Sequence, residues 1–285
     1  MNKIIFLTIT LTLLIGNVGF SQSIVPATAD FRIEIDWAQF RGDSTQAYIE
    51  LYYSIRERSL SYKADSARYI AGAHFSYTIL KEQTTVASRE WTVPHIINDT
   101  SRLSVGQTLV GLETFGLPAG SYQLIVRAYD MMDERRVDSI VLPMQVSFIP
   151  QQEAALSDIE LCTSLQQSSN TQSMFYKNTM EVVPNPGGMY GAGLPMMFYY
   201  LELYNLLKSV NTEMVTLRTR VLDSGGKEMM TQNKQKQRAN NASVEVDKVN
   251  VTSLKSGTYT LQISVLDSTE HLYASTKKKF YIFKP

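Results

Sequence analysis

The chain has 285 residues, and its 27 basic and 27 acidic side chains cancel to a formal net charge of zero, a balance that excludes the broad cationic surface on which nucleic-acid binding rests. A composition of 44% hydrophobic and 19% charged residues argues against a disordered chain and supplies apolar surface for two cores. Cys162 is the single cysteine, so no intramolecular disulfide can form.

The segment from Met1 to Ser21 reads as an export signal. Lys3 supplies the positive start, Ile4 to Ile15 form an apolar core interrupted only by Thr, and Gly19-Phe20-Ser21 is a small-x-small cleavage site ahead of Gln22. The apolar run is shorter than the roughly 18 to 20 residues that cross a bilayer, and no stop-transfer charges follow it. Cleavage therefore leaves no stable membrane span. It removes one lysine and no acidic residue, so the mature chain, Gln22 to Pro285, carries a single acidic group in excess. The expected location is outside the cytoplasm: the periplasm, the outer membrane or the medium.

Runs with the two-residue period of a half-buried strand then follow over 31–37, 47–55, 73–80, 85–93, 108–112, 122–130 and 138–149. In the third run Ala73, Phe75, Tyr77 and Ile79 share one face, which should be the core face, and Lys81-Glu82-Gln83-Thr84 reverses the chain after it. Pro150 closes this set, because proline cannot donate to a strand ladder. Limited proteolysis is expected to cut just beyond it, near 151–154. The segment 153–165 is ambiguous: Ala154, Ala155, Leu156, Ile159 and Leu165 stand near helical spacing, yet an opening strand over 158–165 fits the organisation described below. Further strands are expected over 176–183, 197–206, 214–223, 228–236, 243–249, 259–267 and 275–283, the clearest hairpin turning on Asp223-Ser224-Gly225-Gly226.

One stretch is written twice. Leu117 to Asp130 returns as Leu254 to Asp267, with Gly257 standing where Gly120 stands in the first copy. Upstream, Tyr48-Ile49-Glu50-Leu51-Tyr52-Tyr53 is matched by Tyr200-Leu201-Glu202-Leu203-Tyr204-Asn205. Two similar domains follow, 22–150 and 151–285, and the first copy is the longer, its surplus assigned to the loop-like stretch 97–111. Each copy enters a strand through Gly-x-Tyr, as an immunoglobulin-like sandwich enters its penultimate strand, so Tyr122 and Tyr259 are read as corner residues whose hydroxyls reach back to the backbone. The expected fold is all-β: two tandem immunoglobulin-like sandwiches after a signal peptide.

No constellation rises to a reaction. His74, His95 and His271 lack any metal-ligand spacing, Cys162 reads as a buried thiol, and no nucleophile elbow occurs. The glycine-rich run from Pro184 to Pro195 lacks the Gly-Lys-Ser/Thr ending of a phosphate loop and reads as an ordered crossing. Met174, Met180, Met189, Met196 and Met197 read as core filling. Lys234-Gln235-Lys236-Gln237-Arg238 reads as a solvated edge strand. Asn98, Asn241 and Asn250 head glycosylation sequons in a host with that machinery. No catalytic residue, metal ligand or cofactor is expected.

Leu156-Ser157-Asp158-Ile159-Glu160-Leu161, Phe175-Tyr176-Lys177-Asn178, Pro184-Asn185-Pro186 with Tyr190-Gly191, and Tyr199-Tyr200-Leu201-Glu202-Leu203-Tyr204-Asn205 together resemble the region preceding the signature domain of bacterial GWxTD-domain proteins. Glu50 to Ile55 and Leu117 to Tyr122 are similar too, so the resemblance spans most of the mature chain. It implies export and this architecture. The GWxTD signature itself is absent: neither Trp37 nor Trp91 follows a glycine, and Pro285 falls where such proteins continue. The expected function is that of an exported, non-enzymatic scaffold or protein-interaction module of the bacterial cell envelope, with a protein partner there. The alternative is a glycan- or small-ligand-binding sandwich. Tyr190, Tyr200 and Tyr204 are the candidate contacts for ligand or partner, and alternation puts Tyr200 and Tyr204 on one strand face and Tyr199 on the other.

Overall fold

The computed structural model describes residues 24–104, 106–191, 193–238 and 241–285, and the expected export signal and cleavage site lie outside them. Strand pairing divides these residues in two. The first set comprises β1 (Ile24–Val25), β2 (Ile33–Phe40), β3 (Ala47–Arg56), β4 (Tyr62–Asp65), β5 (Arg68–Lys81), β6 (Thr84–Ile97), β7 (Thr108–Leu117), β8 (Gly120–Asp130) and β9 (Asp133–Val146). The second comprises β10 (Ala155–Leu156), β11 (Glu160–Gln167), β12 (Tyr176–Lys177), β13 (Met180–Pro184), β14 (Met189–Gly191), β15 (Met196–Tyr204), the short helix α1 (Leu206–Ser209), β16 (Met214–Asp223), β17 (Glu228–Gln237), β18 (Ala242–Asn250), β19 (Gly257–Leu266) and β20 (Leu272–Phe283). Among the described residues no strand of one set pairs with a strand of the other.

Each set is a two-sheet sandwich. In the first, β2-β3-β7 packs on β6-β5-β8-β9, with β4 and β1 extending the second sheet. In the second, β18-β15-β11-β13-β12 packs on β17-β16-β19-β20-β14, and β10 joins β15. The strands β2, β3 and β5 to β9 correspond in order and pairing to β11 and β15 to β20. Pairing is antiparallel throughout except for β14 with β20.

Period-two alternation builds both cores. β5 turns Ala73, Phe75, Tyr77 and Ile79 inward, and β8 adds Tyr122, Leu124, Val126 and Ala128. β19 repeats the pattern with Tyr259, Leu261 and Ile263. At the strand entrances the Tyr122 hydroxyl donates to the Pro118 carbonyl at 2.9 Å and the Tyr259 hydroxyl to the Lys255 carbonyl at 3.0 Å. Three strands against four, entered through a tyrosine corner, define an immunoglobulin-like sandwich.

Local structure settles one segment the sequence left ambiguous and departs from the sequence reading in two places. The ambiguous segment forms the expected strand rather than a helix, as β11 over Glu160–Gln167, because it is held between β13 and β15. The strand expected over 176–183 is a tight hairpin of β12 and β13, whose turn residues Asn178 and Thr179 have φ of 49° and 63°. Positive φ at both positions is what a two-residue hairpin loop requires, and it is strained for β-branched threonine. The surplus of the first copy is not confined to 97–111: part of it is the β4 excursion, which α1 replaces in the second copy, and part lengthens the β5–β6 hairpin. β17 is the solvated edge strand expected, last in its sheet and exposed over most of its length, and its Lys234 and Lys236 do more than deter pairing. They fold across the sandwich opening onto Glu245 of β18, at 2.5 and 2.9 Å, and join the rims of the two sheets.

Candidate functional site at the junction of the sandwiches

Strands β3 and β15, which carry the duplicated Tyr/Glu/Leu motif, are buried on both faces. Ile49, Leu51, Tyr53 and Ile55 enter the first core, and Met197, Tyr199 and Leu201 enter the second. The opposite faces look across the junction. Tyr52 and Tyr200 meet there with Ala38, Phe40, Cys162 and Val182 in a separate apolar cluster drawn from both sandwiches. The repeat thus places equivalent residues of the two copies, Glu50 and Glu202, at one interface.

Lys177 lies within this interface. Its Nζ donates to Glu50 Oε2 of the first sandwich at 2.7 Å and to Glu160 of its own. It also lies 4.7 Å from the ring centroid of Phe40 and 4.4 Å from that of Tyr200. The Tyr52 hydroxyl donates to Glu50 at 2.6 Å. Side-chain exposure is 18% for Lys177, 8% for Glu50 and 1% for Glu160, so two carboxylates and one ammonium share a nearly dry site. Burial pushes the Glu160 carboxyl up to about 7, with Lys177 opposing the rise and Glu50 adding to it. Burial pulls Lys177 down, but the two carboxylates outweigh it and hold the ammonium above its ordinary range. Glu160 Oε1 has no hydrogen-bond partner. A site with one positive and two negative groups is neutral once one carboxyl is protonated, and Glu160 is the group burial favours for that proton.

Polar contacts extend the junction on either side. Glu202 accepts from the Tyr200 and Tyr204 hydroxyls, each at 2.7 Å, and the Arg41 backbone N–H donates to the Tyr204 hydroxyl at 3.1 Å. Asp158 and Gln39 exchange two hydrogen bonds, and Lys278 reaches Asp36 at 2.6 Å. Asn205 donates to the carbonyls of Pro150 and Glu153, which fastens the linker itself.

The three tyrosines expected as ligand or partner contacts are all closed to solvent, with exposures of 2% for Tyr190, 0% for Tyr200 and 2% for Tyr204. Tyr190 belongs to the second core and donates to the Cys162 carbonyl at 2.9 Å, while Tyr200 and Tyr204 face the other sandwich. Cys162 is buried and its thiol is pushed up by burial and by Glu160. The run from Pro184 to Pro195 is a structural crossing. Asn185 is hydrogen-bonded to the Leu161 and Met189 carbonyls, and a Cβ at Gly191 would lie 1.9 Å from the Phe283 carbonyl oxygen. Of the five clustered methionines only Met197 is fully buried, and Met174 and Met189 are exposed, contrary to a uniform core-filling role. Among the described residues no group of three or more His, Cys, Asp or Glu side chains is placed to hold a metal ion.

Two carboxylates beside an ammonium resemble acid–base machinery in composition, but acid–base catalysis needs a reacting group within hydrogen-bond reach. This cluster is enclosed by Phe40, Tyr52 and Tyr200, and its chemistry is that of a fastening. One consequence is measurable. The Glu160 carboxyl holds its proton more tightly in the folded chain than its ordinary value of 4.5 allows, so the stability this confers is complete below pH 4.5 and is lost as pH rises through about 7. Urea denaturation at a series of pH values should show stability declining across that window, and Glu160→Gln should flatten the decline. An equal slope in both proteins would refute the assignment.

No family model and no curated protein matches the chain. Among solved structures it is similar to Bacteroides uniformis β-glucuronidase, at 10% identity and TM-score 0.26 over 88% of this chain and 32% of the enzyme. A glycosyl hydrolase family 2 member from Bacteroides cellulosilyticus DSM 14838 gives 9% and 0.27 over 87% and 36%. The fibronectin(III)-like modules of Clostridium thermocellum CbhA give 12% and 0.21 over 88% and 93%. The chain spans about a third of the length of these glycosidases. Its own strand order and corners make it a protein of tandem immunoglobulin-like sandwiches.

Proposed function

We propose that this protein is an exported, non-enzymatic interaction module of the bacterial cell envelope, presenting two sandwiches as one rigid body to a protein partner. The observation that carries the reading is the junction: apolar packing, the Glu50–Lys177–Glu160 cluster and the fastened linker consume the motif faces of β3 and β15 and leave the outer sheet faces open. On the outer face of the first sandwich Ile96, Val137 and Val141 are exposed at 51, 40 and 53%. Val137 and Val141 share one face of β9 and Ile96 stands across the sheet on β6, and apolar side chains left exposed on an outer sheet face suit a protein partner. The export signal expected over residues 1–21 and the resemblance to the region preceding the GWxTD domain support the envelope location.

The test is site-specific photocrosslinking in cells followed by envelope fractionation. A photoreactive residue at Val141 or Ile96 should give a discrete adduct in the envelope fraction, whereas one at Arg102, on an exposed loop, should not. A cytoplasmic chain, or adducts indifferent to position, would overturn the reading.

A further inference from the structure

The outer face of β20 carries Lys277, Lys279, Tyr281 and Phe283 in a single row. All four are exposed, the last two at 45 and 58%. Same-face residues of a strand lie about 7 Å apart, so the row is a straight stripe of two ammonium groups followed by two rings. The neighbouring strand places Gln262 opposite Lys277, Thr260 opposite Lys279 and Thr258 opposite Tyr281. Lys278, between the two cations, points the other way and is spent on Asp36. Among the described residues neither Lys277 nor Lys279 has a carboxylate within salt-bridge distance. Both lysines, with Thr260, Gln262 and the turn at Asp223, line a depression of about 490 Å³. Asp223 is occupied there: its Oδ1 accepts from the backbone N–H groups of Gly225 and Lys227, each at 2.9 Å.

The duplication supplies an internal control. Gly120 pairs with Val146 in the first sandwich and Gly257 with Ile282 in the second, so the positions equivalent to Lys277, Lys279 and Tyr281 are Val141, Pro143 and Gln145. The fold therefore does not require cations or a ring on this face. Lysines on an open edge deter strand pairing, but that role does not call for the exposed Tyr281 beside them.

We infer that this face of the second sandwich binds an acidic polysaccharide, the lysines meeting its carboxylates, the Thr260 side chain its hydroxyls, and the Tyr281 ring the apolar face of a sugar, while the Gln262 amide is held between Arg220 and Ser275. Spaced cations alone would take any polyanion; the Thr260 hydroxyl and the exposed ring favour a sugar chain. The inference goes beyond the protein-interaction reading, which concerns the other sandwich, and each can fail without the other.

The experiment is calorimetric titration of the full mature chain with polygalacturonate, alginate and hyaluronan, and with dextran and poly-glutamate as neutral and non-sugar controls. At least one acidic polysaccharide should bind, dextran should not, and poly-glutamate should bind at least tenfold more weakly. Lys277→Ser with Lys279→Ser should lower the affinity at least tenfold and Tyr281→Ala several-fold, with unchanged thermal midpoints. Val141→Ser, at the equivalent position of the first sandwich, should change nothing. Absence of binding to all three polysaccharides, equal binding of poly-glutamate, or variants that bind as the parent does would each overturn the inference.

Discussion

Lys177→Met is expected to destabilise the protein by about 3–5 kcal/mol, the range found when one member of a buried ion pair is removed and its partner stays behind. Methionine preserves most of the packing against Phe40 and Tyr200, so the loss reports charge. Glu50 and Glu160 are left facing each other without a cation, and Glu160 Oε1 already lacks a partner. The chain has two ways to relieve this. It can protonate both carboxyls, or it can separate the sandwiches and let water in, so the cost is limited by the cheaper of the two. Both Trp37 and Trp91 lie in the first sandwich, which makes tryptophan fluorescence a probe of that half while circular dichroism follows both. Lys177→Met should separate the two transitions and expose the linker to protease near 151–154. In the parent the linker is held by Asn205, and Arg41 also donates to the Pro150 carbonyl, so cleavage there should be slow. Adding Glu50→Gln and Glu160→Gln to Lys177→Met should recover much of the loss, because a neutral interior costs little to bury. A Lys177→Met protein as stable as the parent, with coincident transitions, would show that the cluster does not fasten the junction.

The sandwich was legible because its cause is local. Period-two patterning, Gly-x-Tyr corners and a proline stop act over short spans of chain, and the duplication repeats them between Leu254 and Pro285. The junction was less legible because its cause is distant in sequence: Glu50 and Lys177 are 127 positions apart. One signal was available. Tyr-Ile-Glu-Leu-Tyr-Tyr and its copy carry large side chains on both strand faces, which is how a strand covered on both sides reads, whereas a strand with one solvated face would alternate cleanly. Tyr200 and Tyr204 were candidates for an exposed surface for the same reason that they are interior: they lie on the face turned away from their own core. Lys177 was hidden by its turn. Asn178-Thr179 lacks the glycine that marks a two-residue hairpin, and threonine argues for continued strand. Tyr281 and Phe283 were visible as part of a closing strand, but which face of that strand stays open depends on sheet packing.

Tyr122→Ala and Tyr259→Ala should each cost about 3–5 kcal/mol, the range for emptying a large aromatic site. Since a whole domain is held by only about 5–15 kcal/mol, either change consumes much of the margin. Both rings are 7% exposed, and the Tyr259 ring is stacked at 5.6 Å on Phe280, which is fully buried. Truncation there removes a partner from a core aromatic as well as a corner bond, so Tyr259→Ala should be the more costly. Tyr→Phe isolates the hydrogen bond. It keeps the ring and removes only the contact to Pro118 or Lys255, so it should cost about 0.5–1.5 kcal/mol at each corner. The two corners lie in separate cores, so the first effect is local. Tyr122→Ala should lower the tryptophan fluorescence transition, whereas Tyr259→Ala should lower the circular dichroism transition and move fluorescence only as far as the junction transmits the loss. In a chain that also carries Lys177→Met that transmission should weaken, and Tyr259→Ala should leave the fluorescence midpoint where Lys177→Met alone puts it. A fluorescence shift of undiminished size in the double variant would mean that the sandwiches are coupled by something other than the Glu50–Lys177–Glu160 cluster.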